Sequence, residues 1–437
     1  MSATVSLIKQ VLEWFNLRLV RLEPKVRAAT VFFGVALVLY PIVIQVYGML
    51  WGILWSAWLA AFALYFAFRS GYFARRVTLQ LPGRTHPYPE KIRSIQGGVR
   101  FKTWDDVAYL DADEADDAVP KDDRVIGLEI GEDAIAYPLS AMALREVANE
   151  EFGELPVSVT WSPITYAARV YVSVGPDGEA FTLAPTDQMV LNSPLLEAEN
   201  GSLYLQFTGE AIMGPDAGHQ LKRIPCLNTT WGAWSSAWPN SEMLSPAETP
   251  ETDVFEGYYA STRAGLFTQP VRDKRLPDKD VVMGVADLEA GGGGSGEVKV
   301  FSAHMMQREP LLNTELGRVP VVVLNERSSA SYVAFERVVD GQRLTFEGET
   351  KNSFRPNRVV EKKTLEEGGE EVGDDAVPHS EYEPWLVRDE QTGSLWHAVK
   401  GECVEGELAG TRLRMLDGQL AFWFAWSKFH GDVELVL

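Results

Sequence analysis

The most prominent feature of the hydrophobic pattern is a run of 41 residues without a charge, Ala28–Phe68. This run is about twice as long as the roughly 20 residues that cross a bilayer as one helix. Pro41 and Gly48 interrupt its middle. The pattern therefore predicts a transmembrane hairpin, with one span at 28–46, a second at 50–68 and a tight turn between them.

An amphipathic segment, residues 1–27, precedes the predicted hairpin. Its apolar side chains recur at helical spacing, at Ile8, Val11, Leu12, Phe15 and Leu19. Such a helix can lie on a membrane surface or pack against a partner protein, and the pattern does not separate the two. Cations flank the hairpin at both ends, and cytoplasmic flanks are enriched in Lys and Arg. We therefore expect the body in the cytoplasm, beside a prokaryotic inner membrane.

The second predicted span and its flank carry the residues expected to contact a partner or the membrane. Tryptophan favours membrane interfaces and helix contacts, and arginine attracts anionic lipid headgroups. These residues are Trp51, Trp55, Trp58, Arg69, Arg75 and Arg76. A single tilted span, which places the body outside, is the alternative topology. Its weakness is that one of the two basic clusters then lies outside as well.

Beyond a connector at 69–99, the chain consists of short apolar stretches separated by turn residues, which is typical of a mainly β (α+β) body. VIGLEIGEDAIAYPL predicts two strands joined by a hairpin turn at Gly131. Residues 143–152 are predicted to form a helix. A further helical face, which we expect to pack on a sheet, carries Trp231, Trp234 and Trp238.

The body contains two copies of one unit. GSLYLQFTGEAIMGPDAGHQL at 201–221 aligns without a gap with GSLWHAVKGECVEGELAGTRL at 393–413, and WGAWSSAW continues the alignment with WFAWSKFH. VIGLEI likewise pairs with VMGVAD, and GELPVSVT with GRVPVVVL. We therefore predict two similar lobes, 100–250 and 251–437, packed about a pseudo-twofold axis. With the anchor, the predicted fold class is a transmembrane hairpin followed by a duplicated, mainly β body.

The composition of the chain limits the classes of function that it can have. Residues 1–93 carry eleven Lys and Arg against three Asp and Glu, yet the chain has a net charge of −21, so the body is strongly acidic. An acidic surface disfavours nucleic acid, whose phosphates require Lys and Arg. Cys226 and Cys403 are too few for a disulfide framework. The six histidines show no metal-binding spacing, and no phosphate-binding or nucleophile motif occurs, so we predict no metal and no cofactor.

The order RVIGLEIGEDAIAYPL, NEEFGELPVSVT, TGEAIMGPDAGHQL, TTWGAW and LPDKDVVMGV resembles the domain-of-unknown-function family numbered thirty-one seventy-nine. The resemblance covers the body, about residues 100–437, and none of the apolar run. It implies a Tyr-Cys-Pro-Leu-Cys turn where this chain has Trp161-Ser162-Pro163-Ile164-Thr165. It also implies a His-Glu pair where this chain has Arg145-Glu146.

The substituted positions define a vestigial family site, Arg145, Glu146, Ser162 and Thr165. Two thiols and a histidine could bind a metal or perform thiol chemistry. Serine, threonine and arginine provide no thiolate, and arginine remains protonated and cannot ligate a metal. A nucleophilic Ser162 would need a base and an oxyanion hole from elsewhere in the chain. We therefore expect no catalysis at this site.

These observations predict a non-catalytic, membrane-tethered scaffold or accessory subunit. It would bind and stabilise a larger integral membrane complex of the photosynthetic or respiratory kind. Its partners would be integral membrane protein subunits, together with lipid headgroups at the basic N-terminal region. Two alternatives stay open: an enzyme with a rewired family site, and a ligand-binding sensor that uses the cleft between the lobes.

Overall fold

The structure, a computed structural model, describes most of the body and a helix before it. The described residues are 45, 48–69, 76–77, 80–81, 84–85, 90–95, 108–246, 254–267, 273–286, 298–348, 384–430 and 433–437. The chain divides into two compact units. The first contains the helix Met49–Arg69 and the strand pair Arg76–Val77 with Glu90–Lys91. The second contains both repeats.

Seven helices occur in the described residues. They are α1 (Met49–Arg69), α2 (Ala112–Ala118), α3 (Leu139–Arg145), α4 (Trp231–Ala237), α5 (Glu256–Ala260), α6 (Ala303–Arg308) and α7 (Trp423–Phe429). Side-chain caps start three of them. Asp111 accepts from the N–H of Glu114, Thr230 from that of Ala233 and Ser302 from that of Met305. Each cap satisfies a backbone donor that the first helical turn leaves unpaired.

Most described elements are strands. Those of the connector are β1 (Arg76–Val77), β2 (Gln80–Leu81), β3 (Arg84–Thr85), β4 (Glu90–Lys91) and β5 (Arg93–Ser94). Those of the first repeat are β6 (Tyr109–Leu110), β7 (Arg124–Ile130), β8 (Asp133–Pro138), β9 (Val147–Phe152), β10 (Leu155–Ser162), β11 (Ala167–Val172), β12 (Leu183–Val190), β13 (Ser193–Ala198), β14 (Leu203–Leu205), β15 (Ala211–Met213), β16 (Lys222–Ile224), β17 (Leu227–Thr230) and β18 (Glu242–Leu244). Those of the second repeat are β19 (Val281–Ala286), β20 (Val298–Ser302), β21 (Leu311–Leu316), β22 (Val319–Glu326), β23 (Ser331–Glu336), β24 (Val338–Val339), β25 (Gln342–Arg343), β26 (Phe346–Gly348), β27 (Leu386–Asp389), β28 (Leu395–His397), β29 (Glu402–Glu405), β30 (Asp417–Phe422) and β31 (Glu434–Val436).

The sheets of the two repeats correspond. The order β17-β7-β8-β18-β6 in the first repeat matches β30-β19-β20-β31 in the second, and in both the strand after the terminal Trp-containing helix joins parallel to its neighbour. Strands β9-β10-β11 match β21-β22-β23, and β16 and β6 each add one strand to the sheets of the first repeat. The antiparallel run β12 to β15 matches the sheet β26-β27-β28-β29. Each repeat therefore builds the same three sheets in the same chain order.

A glycine beneath a tryptophan sets the packing of the terminal helix in each repeat. Trp234 on α4 lies directly over Gly127 of β7, and Trp426 on α7 lies over Gly284 of β19. The two tryptophans occupy equivalent positions in the duplicated unit, and so do the two glycines. A methyl group on either glycine would overlap the indole ring. The absence of a side chain at these two strand positions thus allows the helix to approach its sheet.

A buried ion cluster joins the two repeats. Arg169 of β11 donates two hydrogen bonds from Nη1 to the carboxylate of Asp417 on β30, at 3.0 and 2.9 Å. Arg223 contacts the same carboxylate at 2.8 Å. The Arg169 and Asp417 side chains are only 2% and 7% exposed. A carboxylate of the second repeat is thus held by two cations of the first.

The predicted transmembrane hairpin is wrong, and with it the membrane-anchored fold class. Among the described residues, no helix is both long and apolar enough to cross a membrane. Helix α1, Met49–Arg69, covers the predicted second span. Of the predicted first span, only Gln45 is described.

The predicted helix over 143–152 is also wrong. Helix α3 ends at Arg145 because Glu146 adopts the left-handed conformation, with φ 59°. The chain then continues as strand β9, which pairs with β10. The predicted segment 1–27 lies outside the described residues.

Replacing Gly127 or Gly284 by alanine should destabilise the protein by about 1–3 kcal/mol, because the new methyl group overlaps a buried indole ring. Gly257→Ala is the matched control. That glycine lies in helix α5 with no atom near the added methyl group, so the change should be neutral or slightly stabilising. Urea unfolding measures all three variants. Equal stability of Gly127→Ala and Gly257→Ala would contradict the packing described above.

Removing the negative charge at the contact between the repeats should strongly lower the free energy of unfolding. Asp417→Asn leaves Arg169 buried without its counter-ion, and such losses are about 3–5 kcal/mol. Glu315→Gln, which breaks a pair with Arg343 whose side chains are about half exposed, should change the free energy of unfolding by less than about 1 kcal/mol. Chemical denaturation distinguishes the two, and similar small losses would show that the buried cluster does not hold the repeats together.

Candidate functional site

The turn between β10 and β11 carries the two positions where the resemblance implies cysteines. Strand β10 is buried over its last six residues and ends at Ser162, which pairs with Ala167 at the start of β11. The N–H of Trp161 donates to the carbonyl of Glu146 at 2.8 Å. This backbone bond places the end of helix α3 beside the turn. The predicted site residues Glu146, Ser162 and Thr165 are therefore held on adjoining elements.

Both hydroxyl positions are fully buried. Ser162 and Thr165 have no exposed surface. The Ser162 hydroxyl accepts a hydrogen bond from the Thr165 N–H at 3.4 Å, which closes the turn on itself. The Thr165 carbonyl accepts from the Phe422 N–H of the second repeat at 2.9 Å. In this chain, the turn serves as a structural contact between the repeats.

Glu146 is the most perturbed group of the site. Its side chain is almost fully buried, and its Oε2 atom has no hydrogen-bond partner among the described residues. Burial raises the pKa of Glu146 to about 8, because the charged carboxylate loses its hydration without gaining a cation. At neutral pH the group is therefore mostly an uncharged carboxylic acid. The neighbouring Arg145 is the last residue of α3 and is half-buried.

Two further buried polar atoms belong to the turn and to the strand before it. Neither the Trp161 indole N–H nor the Thr165 hydroxyl has a hydrogen-bond partner in the described part of the chain. Unpaired buried polar groups are destabilising. None of these atoms is a soft metal ligand. Within the described ranges, no group of three or more His, Cys, Asp or Glu residues could hold a metal ion.

A short segment after the first repeat covers the turn. The Tyr258 hydroxyl of α5 donates to the Ile164 carbonyl at 2.8 Å and accepts from the Gly265 N–H at 3.0 Å. Lys279 donates to the carbonyls of Tyr258, Tyr259 and Ser261, which end that helix. The α5 segment is therefore bonded directly to the turn through Tyr258.

Aromatic rings complete the cover. Tyr166, with φ 57°, packs against Phe422 of the second repeat at 5.2 Å between ring centroids. It also contacts Trp161 edge to face at 5.2 Å and Tyr259 at 5.8 Å. These contacts exclude water from the turn. Sequence reasoning missed this cover, because it is built from residues roughly 90 and 250 positions away along the chain.

The second repeat carries a corresponding turn, between β22 and β23. There the buried carboxylate of Glu326 accepts from the N–H groups of Ser328 and Ser329, at 3.0 and 2.8 Å, and from both hydroxyls. This turn contacts the first repeat in return: Arg124 donates to the Ser329 and Ala330 carbonyls, and Ser331 bonds to Thr229. The alignment of GELPVSVT with GRVPVVVL ends just before the two turns. Extending this alignment by six residues would have shown that the second repeat carries a corresponding turn.

The predicted contact residues lie mainly on α1. Trp51 and Trp58 are 58% and 48% exposed, whereas Trp55 is only partly exposed. The Trp55 and Trp58 rings contact each other at 5.5 Å. Only the backbone of Arg69 and Arg76 is described, and Arg75 lies outside the described residues.

The pKa of Glu146 has a measurable consequence for stability. The folded protein keeps this proton up to about pH 8, whereas an ordinary glutamic acid in the unfolded chain loses it near 4.5. The stabilisation is thus complete below about pH 4.5 and lost as pH rises through 8, by at most ~1.4 kcal/mol per pH unit. Glu146→Gln should remove this dependence and unfold at higher denaturant concentration than wild type at pH 8.5.

The control for this titration is Glu151→Gln, which changes an exposed side chain on the neighbouring strand β9. Its free energy of unfolding should follow the wild-type pH dependence. Urea midpoints between pH 5 and pH 8.5 provide the comparison. Parallel curves for wild type and Glu146→Gln would show that Glu146 does not carry a proton into the neutral range.

Comparison with known proteins now adds to this geometry. No curated protein and no solved structure matches the chain. One family model does, over residues 103–433, which is most of the chain and includes both repeats and both turns. The membership indicated by the sequence motifs is thereby confirmed. The chain belongs to the family described as "Protein of unknown function (DUF3179)".

Proposed function

We propose that this protein is a non-catalytic scaffold that holds a partner protein. The observation that carries this proposal is the complete burial of Ser162 and Thr165 in the contact between the repeats. A catalytic or metal-binding group must be reachable by its substrate or ion. Here the turn is covered by α5, by Tyr166 and by the second repeat.

The buried chemistry is also unsuited to nucleophilic catalysis. No histidine or other base is seen to bond to the Ser162 hydroxyl in the described residues, where it accepts from the Thr165 N–H. A hydroxyl nucleophile needs a neighbouring base and a donor set for the developing oxyanion. Cys226 does not replace the missing thiols, because burial raises its pKa to about 12 and the reactive thiolate is scarce.

The partner surface of this scaffold is helix α1. Most of the large apolar side chains that are exposed in the described residues belong to it, and they are Met49, Trp51, Ile53, Leu54, Trp58, Leu64 and Tyr65. Contiguous exposed apolar surface marks interaction sites. Exposed tryptophans strengthen this reading, since Trp is enriched among residues that dominate binding energy.

The partner we propose is an integral membrane protein subunit that exposes a complementary apolar surface outside the bilayer, where α1 can bind it. The acidic body, which carries the excess of Asp and Glu behind the net charge of −21, would lie on the cytoplasmic face of such a subunit. Like-charged surfaces disfavour other acidic proteins and so contribute to the choice of partner.

Photo-crosslinking in native cells tests the contact. A photoreactive amino acid replaces Trp51 in the full chain, and Val404, which is 49% exposed in the second repeat, provides the matched control. We expect a crosslinked product of one defined mass from position 51 and none from position 404. Equal or absent crosslinking at the two positions would overturn the assignment of α1 as the partner surface.

A second variant tests whether the family turn is vestigial. Ser162→Ala combined with Thr165→Ala should fold and keep the crosslink from position 51, because neither hydroxyl faces a substrate. Circular dichroism and a thermal transition establish that the double variant is folded. Loss of the crosslink in a folded double variant would show that the turn still performs the protein's function.

A further inference from the structure

The duplication produces two related halves at the contact between the repeats, and they are filled differently. In one half, Phe207 stacks on Phe429 of α7 at 4.6 Å and meets the edge of Trp426 at 5.7 Å. The gap-free alignment of residues 201–221 with 393–413 has an offset of 192 residues. At this offset, Phe207 corresponds to Val399 and Phe429 to Ala237. The second half therefore has no phenyl ring at either position. We call these the filled half and the open half.

The ion cluster belongs to the filled half alone. Arg169, Arg223 and Asp417 lie beside Phe207, and the Arg169 guanidinium carbon is 5.9 Å from that ring. In the alignment of residues 153–160 with 317–324, Arg169 corresponds to Val333. At the offset of 192 residues, Arg223 and Asp417 correspond to Met415 and Pro225, so none of the three counterparts carries a charge. The filled half thus has a buried ion cluster beside phenyl rings, whereas the ion pair of the open half, Arg412 with Glu129, is partly exposed.

A cavity of about 280 Å³ lies in the open half. Its walls include Trp234 and Trp238, whose rings stack at 4.0 Å, and apolar side chains of both repeats such as Leu227, Leu413 and Met415. This volume is close to the lower end of ligand pockets, roughly 300–1,000 Å³. It therefore suits a molecule of one or two rings.

The charged groups at the cavity are already paired. Arg412 and Glu129 form a two-point ion pair across the repeats at 2.9 and 2.7 Å, and Lys400 pairs with Glu402 at 2.8 Å. Each cation has its own anion, so the site favours a ligand without net charge. The indole N–H groups of Trp234 and Trp238 are buried and have no hydrogen-bond partner in the described chain.

We propose that the cavity between the repeats binds a neutral, planar aromatic molecule that carries a hydrogen-bond acceptor. The stacked Trp234 and Trp238 rings provide an aromatic wall, and offset or edge contacts with such rings favour a planar ligand. The acceptor bonds to one of the two unpaired indole N–H groups of this wall. Met415 provides an adaptable opposite wall, since its unbranched thioether fills irregular space. This site is independent of the scaffold function proposed above.

The probe is indole-3-carboxaldehyde, which is neutral and planar and has a carbonyl acceptor. Isothermal titration and ligand-observed NMR on the full chain measure its binding. We expect saturable binding, and binding at least tenfold weaker for two related molecules. Indole-3-carboxylate keeps the ring but adds a charge, and cyclohexanecarboxaldehyde keeps the acceptor but is not planar. No saturation up to millimolar probe, or equal binding of the anion, would overturn the proposed ligand class.

The location is tested by a bulkier side chain in the cavity wall. Leu413→Phe introduces a ring at a residue that lines the cavity and should weaken binding of the probe at least tenfold. Val404→Phe is the matched control, since it introduces the same ring at an exposed position and should leave binding unchanged. Unchanged affinity in a folded Leu413→Phe protein would place the bound probe elsewhere.

A second substitution covers the case in which Leu413→Phe does not fold. Cys226→Met lengthens a half-buried side chain that lines the cavity and should also weaken binding of the probe. Its thermal transition shows whether the fold is intact. Full affinity in this folded variant would equally overturn the assignment, because the added atoms occupy the proposed ring position.

Discussion

The buried ion pair between Arg169 and Asp417 is the interaction on which the arrangement of the two repeats depends. It joins a strand of the first repeat to a strand of the second, and both side chains are withdrawn from water. Such a pair is stable only when its geometry is good and further partners satisfy the charges. Arg223 and the Phe207 carbonyl are those partners. Near the same strands, Thr165 bonds to Phe422, so the family turn is fixed by the same contact.

Duplication followed by divergence explains the asymmetry of this contact. Two equal copies would give two equal half-interfaces, and the Trp-over-Gly packing at Gly127 and Gly284 still shows that equality. The residues between the copies have diverged. One half carries the buried Arg169–Asp417 pair and phenyl rings, whereas the other has no phenyl ring at the corresponding positions and contains a cavity. A locked half can fix the relative position of the repeats while the open half stays available to a ligand.

The burial of the family turn is consistent with the binding role proposed for this protein. In a catalytic turn, reactive groups face a cleft and are held by neighbours that leave access to them. Here the hydroxyls of Ser162 and Thr165 face the protein interior, and a buried neutral Glu146 lies beside them. The cover by α5 depends on the Tyr258 hydroxyl and on Lys279. The exposed apolar surface of the described chain, by contrast, is concentrated on α1.

The sequence by itself determined the features that depend on neighbours along the chain. The hairpin at Gly131, the Trp231 and Trp234 helix face and the family motifs all follow from local spacing, which a single sequence displays. It also indicated that Glu146 and the 162–165 turn belong together, but only through the family resemblance. Hydropathy alone led to the wrong prediction of a membrane span at α1. The predicted helix over 143–152 was wrong because Glu146 is left-handed and strand β9 follows it. Only the tertiary structure decided which residues meet across 248 positions, as Arg169 and Asp417 do. The cover over the turn and the cavity in the open half have the same origin, because both arise from side chains whose proximity no local pattern encodes.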